Sequence, residues 1–120
     1  MDLITVNNLE VKKSKIQGVG VFSKNRINKG EVFNICILHE LKKQDEYFLS
    51  EYHYGIYEED TQKRFLMLGP PHYYNHSENP NTEVIIKKNN EEIYYMESKS
   101  LRQIEPNEEI TIFYFEGVKF

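Results

Sequence analysis

Apolar residues occur along this chain in short runs, interrupted every few positions by glycine, proline or asparagine. That pattern predicts many short strands rather than long helices. Leu9 to Lys12 reads as the first strand. Gly18-Val19-Gly20 reads as a tight turn feeding Val21-Phe22-Ser23, and Asn28-Lys29-Gly30 as a turn before the extended run Glu31 to Leu38. Asp45 to Tyr54 fits a short helix or an aromatic loop, because Tyr47, Phe48, Leu49 and Tyr52 are spaced for partial burial. Arg64 to Leu68 is a short apolar segment stopped by Gly69-Pro70-Pro71, and residues 72–81 carry little regular periodicity. Thr82 to Lys87 and Ile93 to Met96 flank a hairpin-type turn at Asn89-Asn90. Leu101 to Ile104 reads as a further strand, Glu105-Pro106-Asn107 as a turn, and Ile110 to Phe115 as the last strand. The expected fold is mainly β, with several small sheets and little helix. Long strands are too few for a sandwich, and no helix-strand alternation supports a doubly wound sheet.

With 120 residues and no linker, repeat or low-complexity stretch, the expectation is one domain spanning residues 1–120. The 15 basic and 19 acidic residues leave a net charge of −4, which argues against a nucleic-acid binder. The lone cysteine, Cys36, excludes an intramolecular disulfide and sits in the apolar run Ile35-Cys36-Ile37-Leu38, where a buried inert thiol is expected. Met1-Asp2-Leu3-Ile4-Thr5 does not read as a signal peptide, and no apolar stretch approaches the ~20 residues that cross a bilayer. A soluble intracellular protein with no membrane partner is the expectation.

Three segments carry candidate chemistry. Gly18-Val19-Gly20-Val21-Phe22 would let a ligand approach the backbone closely, although a bare G-x-G is more often only a turn. Tyr74-Asn75-His76-Ser77-Glu78-Asn79-Pro80-Asn81 is dense in hydrogen-bonding side chains, and would otherwise be an Asx-rich turn punctuated by Pro80. Asn107-Glu108-Glu109-Ile110-Thr111-Ile112-Phe113-Tyr114 reads as a buried terminal strand in which Tyr114 is a core aromatic or something more. His72, His76 and Glu78 have a spacing that binds zinc on a helix, but Pro70-Pro71 and Pro80 oppose a helix there. The acidic groups Glu58-Glu59-Asp60, Glu91-Glu92 and Glu105 to Glu109 read first as solvated surface, and otherwise as an attraction for a basic peptide.

Taken in order, G-x-G-[VF]-F, Asn-His-Ser-x-x-Pro-Asn and Glu-Glu-[IL]-Thr-x-x-Tyr resemble the SET domain, from about Val11 to Tyr114. The chain is similar to the small viral SET methyltransferases and their compact bacterial relatives. The resemblance implies a β-clip (SET) fold whose C-terminal segment threads past a loop in a knot-like arrangement, bringing Asn75-His76 beside Tyr114. It implies a protein-lysine N-methyltransferase that uses S-adenosyl-L-methionine. By the same match Gly18, Val19 and Gly20 would contact the methionine part of the cofactor. Asn75 and His76 would hold its amino group and adenine, and Tyr74 would pack beside it. Tyr114 matches the active-site tyrosine, and Tyr47 falls where the viral enzymes carry a second channel tyrosine. Core packing is the competing role for Tyr47.

The chemistry suits those residue types. Methyl transfer needs nitrogen, carbon and sulfur in line, and alignment alone supplies ~7–11 kcal/mol of a barrier. A lysine with an ordinary pKa near ~10.4 must first lose a proton, which a dry channel beside a sulfonium favours. Tyr114 is expected to orient and stabilise rather than act as a strong base. Asn107 stands where the last motif usually has glycine, Phe115 where a small residue is common, and Pro70-Pro71-His72 where a glycine-rich run is frequent. No cysteine cluster follows Tyr114 to bind a post-SET zinc. The segment Lys42 to Phe65, a second subunit in a homodimer, or a substrate that orders Phe115 to Phe120 would have to complete the channel. The implied partner is a lysine-bearing protein or peptide, a histone tail or a bacterial or viral protein, in the nucleus if the substrate is histone. The alternative is a catalytically inactive SET-like interaction module.

Overall fold

The computed structural model describes residues 8–42, 56–58 and 62–114. Nine strands account for nearly all regular structure among them: β1 Leu9–Lys13, β2 Val19–Ser23, β3 Val32–Glu40, β4 Ile56–Glu58, β5 Lys63–Met67, β6 Asn75–His76, β7 Thr82–Lys88, β8 Tyr94–Ser100 and β9 Thr111–Ile112. They form a β1-β2 hairpin, a five-stranded sheet ordered β4-β5-β3-β8-β7, and a two-stranded parallel pair β6-β9. The expected mainly β architecture of small sheets is therefore what the chain adopts. Tyr47 and the segment Asp45 to Tyr54 lie outside the described residues.

Turn chemistry sets the strand boundaries. Gly30 takes φ +82° after Asn28, closing the turn through Glu31 N–H to Asn28 O at 3.1 Å. The β7-β8 hairpin is organised by Asn89, whose Oδ1 accepts from the N–H of Glu91 and of Ile93, both at 2.9 Å. Asn107 adopts φ +68°, a left-handed turn that asparagine tolerates, so it replaces the family's glycine there at small cost.

Four expectations change. The G-x-G segment is not all turn: β2 already begins at Val19, and only Gly18 bends with positive φ. Leu101 to Ile104 is not a strand, because Ile104 alone pairs, with Ile27, in an isolated bridge. β8 extends to Ser100 since its polar residues alternate with core-facing ones, Ser98 and Ser100 being buried. Residues 72–81, without sequence periodicity, nevertheless include the end of a 3-10 turn, Pro70–Tyr73, and then β6. Proline's fixed φ suits the start of that turn, and β6 forms because the distant β9 supplies its partner.

Two apolar clusters make the core. One gathers Val21, Ile27, Phe33, Tyr74, Ile104, Ile110 and Ile112, and the other Cys36, Leu38, Phe65, Met67 and Met96. Val84 packs against both. Among the described residues no helix is long and apolar enough to cross a membrane.

Cys36 is buried as expected, and burial pushes its thiol up from 9.0 to about 11, against a smaller opposing hydrogen bond from Leu68. The folded pKa is the higher one. The thiol's contribution to stability is therefore complete below about pH 9 and is lost as pH rises towards 11. The two-unit difference corresponds to about 2–3 kcal/mol. Under native conditions at pH 8, Cys36 is expected to resist a colorimetric disulfide reagent and to react at once in denaturant. Rapid native labelling would contradict the burial.

Candidate active site

The C-terminal segment does not lie along an edge but is inserted between two elements. On one side Ser23 N–H donates to Glu108 O at 3.1 Å, and Ile110 N–H to Val21 O at 2.7 Å. On the other side β9 pairs with β6 in parallel, Asn75 opposite Thr111 and His76 opposite Ile112. This insertion brings the second and third sequence motifs together, the juxtaposition that a knot-like C-terminus requires. Asn81, fully buried, holds the segment in place. Its Nδ2 donates to Glu109 O at 2.7 Å and to Glu108 Oε2 at 3.1 Å. Its Oδ1 accepts from Thr111 N–H at 2.9 Å and from the Thr82 hydroxyl at 3.0 Å.

An open cleft of about 440 Å³ lies over this junction, lined by Gln17, Gly18, Val19, His72, Tyr73, Tyr74, Asn75 and Tyr114. Five of the eight residues expected at the site thus share one wall. His72 is held below its usual range by burial, which favours the neutral imidazole. The Tyr114 hydroxyl donates to the carbonyl oxygen of Tyr74. Burial and then the Glu109 charge hold the Tyr114 phenol above its ordinary range, so it stays protonated at working pH. The Tyr74 side chain points into the core, with its hydroxyl 2.8 Å from Ser98 Oγ.

His76 reaches this wall through Tyr114. Its Nδ1 accepts the Tyr114 backbone N–H at 2.8 Å, which places the ring proton on Nε2, 3.2 Å from Glu78 Oε1. The ring also packs against Phe113 and Tyr114, with centroids 5.0 and 5.2 Å away. Both nitrogens are therefore engaged. Among the described residues no group of three or more His, Cys, Asp or Glu is placed to hold a metal ion.

Three contributors were given no role of their own in the sequence: Ser14, which it passed over, and Asn81 and Glu109, which stood only as members of the second and third motifs. Glu109, read with its neighbours as solvated surface, is instead bound on two sides. Ser14 Oγ donates to its carboxylate at 2.7 Å, and Asn75 Nδ2 to Oε2 at 2.7 Å. Strand alternation held the clue: if Ile110 and Ile112 face the core, Glu109 faces the other way, towards the G-x-G strand. Glu108 is likewise engaged. Burial opposes its ionisation, but bonds from Glu105 N–H, Asn81 and Arg102 outweigh that and hold its carboxyl below the usual range.

The second glycine of G-x-G has a use the sequence did not reveal. A Cβ on Gly20 would lie 2.3 Å from Glu109 Oε2 and 3.1 Å from Asn75 Nδ2. Gly20 makes room for an internal carboxylate, whereas Gly18 supplies the bend, with φ +50°. Gly20→Ala is expected to lower stability by about 1–3 kcal/mol through overpacking, measured as a lower denaturant midpoint. An unchanged midpoint would show that the carboxylate moves aside freely.

The sequence matches the SET domain family over residues 18–115. A crystal structure of a Plasmodium falciparum protein, provisionally assigned as a histone methyltransferase, is 31% identical. It superposes with a TM-score of 0.77 over 91% of this chain and 94% of that one. A humanized Chaetomium thermophilum Polycomb Repressive Complex 2 bound to an inhibitor gives a TM-score of 0.77 at 16% identity, over 92% of this chain and 15% of that chain. An apo form of the complex with substitutions in Ezh2 gives 0.79 at 16% identity, with the same coverage. At that identity the latter two show a shared fold. The family match and the Plasmodium relative, together with the paired second and third motifs, place the assignment beyond fold alone: the chain belongs to the SET-domain family.

Proposed function

We propose that this protein is a protein-lysine N-methyltransferase and that S-adenosyl-L-methionine binds in the cleft between the G-x-G strand, Asn75 and Tyr114. Family membership supports S-adenosylmethionine-dependent lysine methylation as the general class of activity. The observation that carries the specific reading is the orientation of Asn75. Its Nδ2 is committed to Glu109, to Ser14 and to the carbonyls of Gln17 and Val19, at 2.7 to 3.3 Å. That leaves Oδ1, a good acceptor for an ammonium group, as the amide's open position. The residues present therefore fit the amino-acid end of the cofactor, with Asn75 and the backbone of Gly18 and Val19 holding it.

Bound S-adenosylmethionine would supply a methyl group activated by a sulfonium. The protein's own residues do the rest. Tyr114, protonated and pinned through its backbone by His76, keeps a phenol at the cleft wall as an orienting dipole. It is not a base, because burial and then the nearby Glu109 charge both oppose its deprotonation. The target lysine must arrive neutral or lose its proton to solvent, and exclusion of water beside a cationic sulfonium favours that loss. Aromatic faces at Tyr73 and Tyr114 would steady a cation at the cleft. Tyr47 is proposed as a further channel tyrosine.

Transfer of a labelled methyl group to histone and ribosomal protein mixtures tests the reading. Lysine-linked label that requires wild-type protein is the expected result. Absence of transfer to either mixture, from a protein that binds the cofactor, would confine the substrate to other proteins. Label on residues other than lysine would contradict the reaction class.

A further inference from the structure

We infer that Glu109 is a positioning residue, which sets the orientation of the Asn75 amide and with it the recognition of the cofactor's amino group. The inference rests on the cofactor reading above. An asparagine side chain can present either its oxygen or its nitrogen to a ligand, and only its surroundings decide which. Here the decision is made by one charged acceptor and several neutral ones. Glu109 Oε2 takes the shortest of the Asn75 Nδ2 contacts, at 2.7 Å. The Val19 carbonyl, the Ser14 hydroxyl and the Gln17 carbonyl lie at 3.1, 3.2 and 3.3 Å. A bond to a carboxylate is roughly twice as strong as a neutral one, so Glu109 dominates the choice. Turning the amide over would set Oδ1 against that carboxylate and waste the two carbonyls.

Glu109 is itself held. Ser14 Oγ donates to Oε1 at 2.7 Å and to Oε2 at 3.0 Å, and the hydroxyl accepts from Ile16 N–H at 2.9 Å. Ser14 N–H in turn donates to Gly18 O at 2.9 Å, closing the loop that carries the cleft residues Gln17 and Gly18. Absence of a side chain at Gly20 leaves the carboxylate its space. A chain of hydrogen bonds therefore runs from the β1-β2 loop through Ser14 and Glu109 to Asn75. Asn75 lines the cleft, whereas Ser14 and Glu109 are not among the lining residues. Glu109→Gln keeps the shape but replaces the charged acceptor by a carboxamide that has its own N–H groups, so the Asn75 amide loses its preferred orientation.

The test compares two probes by calorimetry on wild type and Glu109→Gln. S-adenosylhomocysteine carries the amino-acid end; methylthioadenosine lacks it. The expected result is a ten- to hundredfold loss of affinity for S-adenosylhomocysteine in Glu109→Gln with methylthioadenosine unchanged, and an unaltered circular dichroism spectrum. Unchanged affinity for both probes, or equal loss of both, would overturn the assignment, since a merely structural role does not discriminate between them. Should Glu109→Gln not fold, Ser14→Ala carries the same test. It leaves the carboxylate but frees it from one partner, and a smaller loss confined to S-adenosylhomocysteine is expected. Failure of wild type to bind either probe would instead overturn the cofactor reading, and the role of Glu109 with it.

Discussion

Replacing Tyr114 by phenylalanine is expected to leave a folded protein that binds the cofactor and to lower methyl transfer by roughly 10²–10³-fold, the usual cost of removing one preorganised polar group from a reacting centre. The substitution removes a single hydroxyl. The ring keeps its packing against His76, and the backbone N–H keeps its bond to Nδ1. What goes is the bond to the Tyr74 carbonyl and the dipole at the cleft wall. The loss should appear in kcat, with cofactor affinity within a few-fold of wild type. The pH profile adds a second check. Because burial and the Glu109 charge hold the phenol above its ordinary range, ionisation of Tyr114 should not cut activity between pH 8 and 9. Activity should rise there as more lysine becomes neutral. A variant as active as wild type would remove Tyr114 from the chemistry.

The second large effect is on stability, at Asn81. Alanine there leaves the Glu109 carbonyl and the Thr111 N–H without the partners that Asn81 provides, and strips one bond from Glu108. Each buried orphan costs about 1–3 kcal/mol, so Asn81→Ala should lose about 3–5 kcal/mol. Against a margin of ~5–15 kcal/mol for a domain, that is a large fraction. Denaturant titration would show it as a strongly lowered midpoint. Asn81→Asp refines the argument. It retains an acceptor for Thr111 N–H but sets a carboxylate 3.1 Å from Glu108 Oε2, whose own carboxyl is held ionised below the usual range. The aspartate variant should therefore be relatively more stable near pH 4 than at pH 7. Near-wild-type stability of the alanine variant would mean that the C-terminal segment is held by its backbone pairing alone.

Much of this arrangement was legible in the sequence, and the limits have physical causes. Strands with local turn signals were readable: Asn28-Lys29-Gly30 fixes the turn into β3, and Asn89-Asn90 the β7-β8 hairpin, through contacts a few residues apart. β6 was not, because it is two residues long and exists only through its pairing with β9 across 36 positions of sequence, and the last strand, expected over Ile110 to Phe115, is confined to Thr111–Ile112. Long separations in sequence, from 28 to 95 positions, likewise hid the bonds of Glu109 to Ser14, Asn75 and Asn81. A glutamate beside another glutamate looks like solvated surface until the partner strand is known. Motif order, by contrast, brought Asn75, His76 and Tyr114 together correctly. Their packing is specified by β6 and β9, although the sequence did not show that both His76 ring nitrogens are engaged within the chain, Nδ1 by the Tyr114 backbone N–H and Nε2 by Glu78. Tyr47 falls outside the described residues, and its role in the channel stands on the family pattern alone.

The central claim is that the cleft beside Asn75 and Tyr114 holds S-adenosylmethionine, and calorimetric titration of that cofactor into the wild-type protein tests it most directly. Saturable binding of one molecule per chain, abolished by Asn75→Ala in a protein that still folds, is the expected result. No heat of binding to a folded wild-type protein would contradict the claim and leave a SET fold used for protein contacts rather than for methyl transfer.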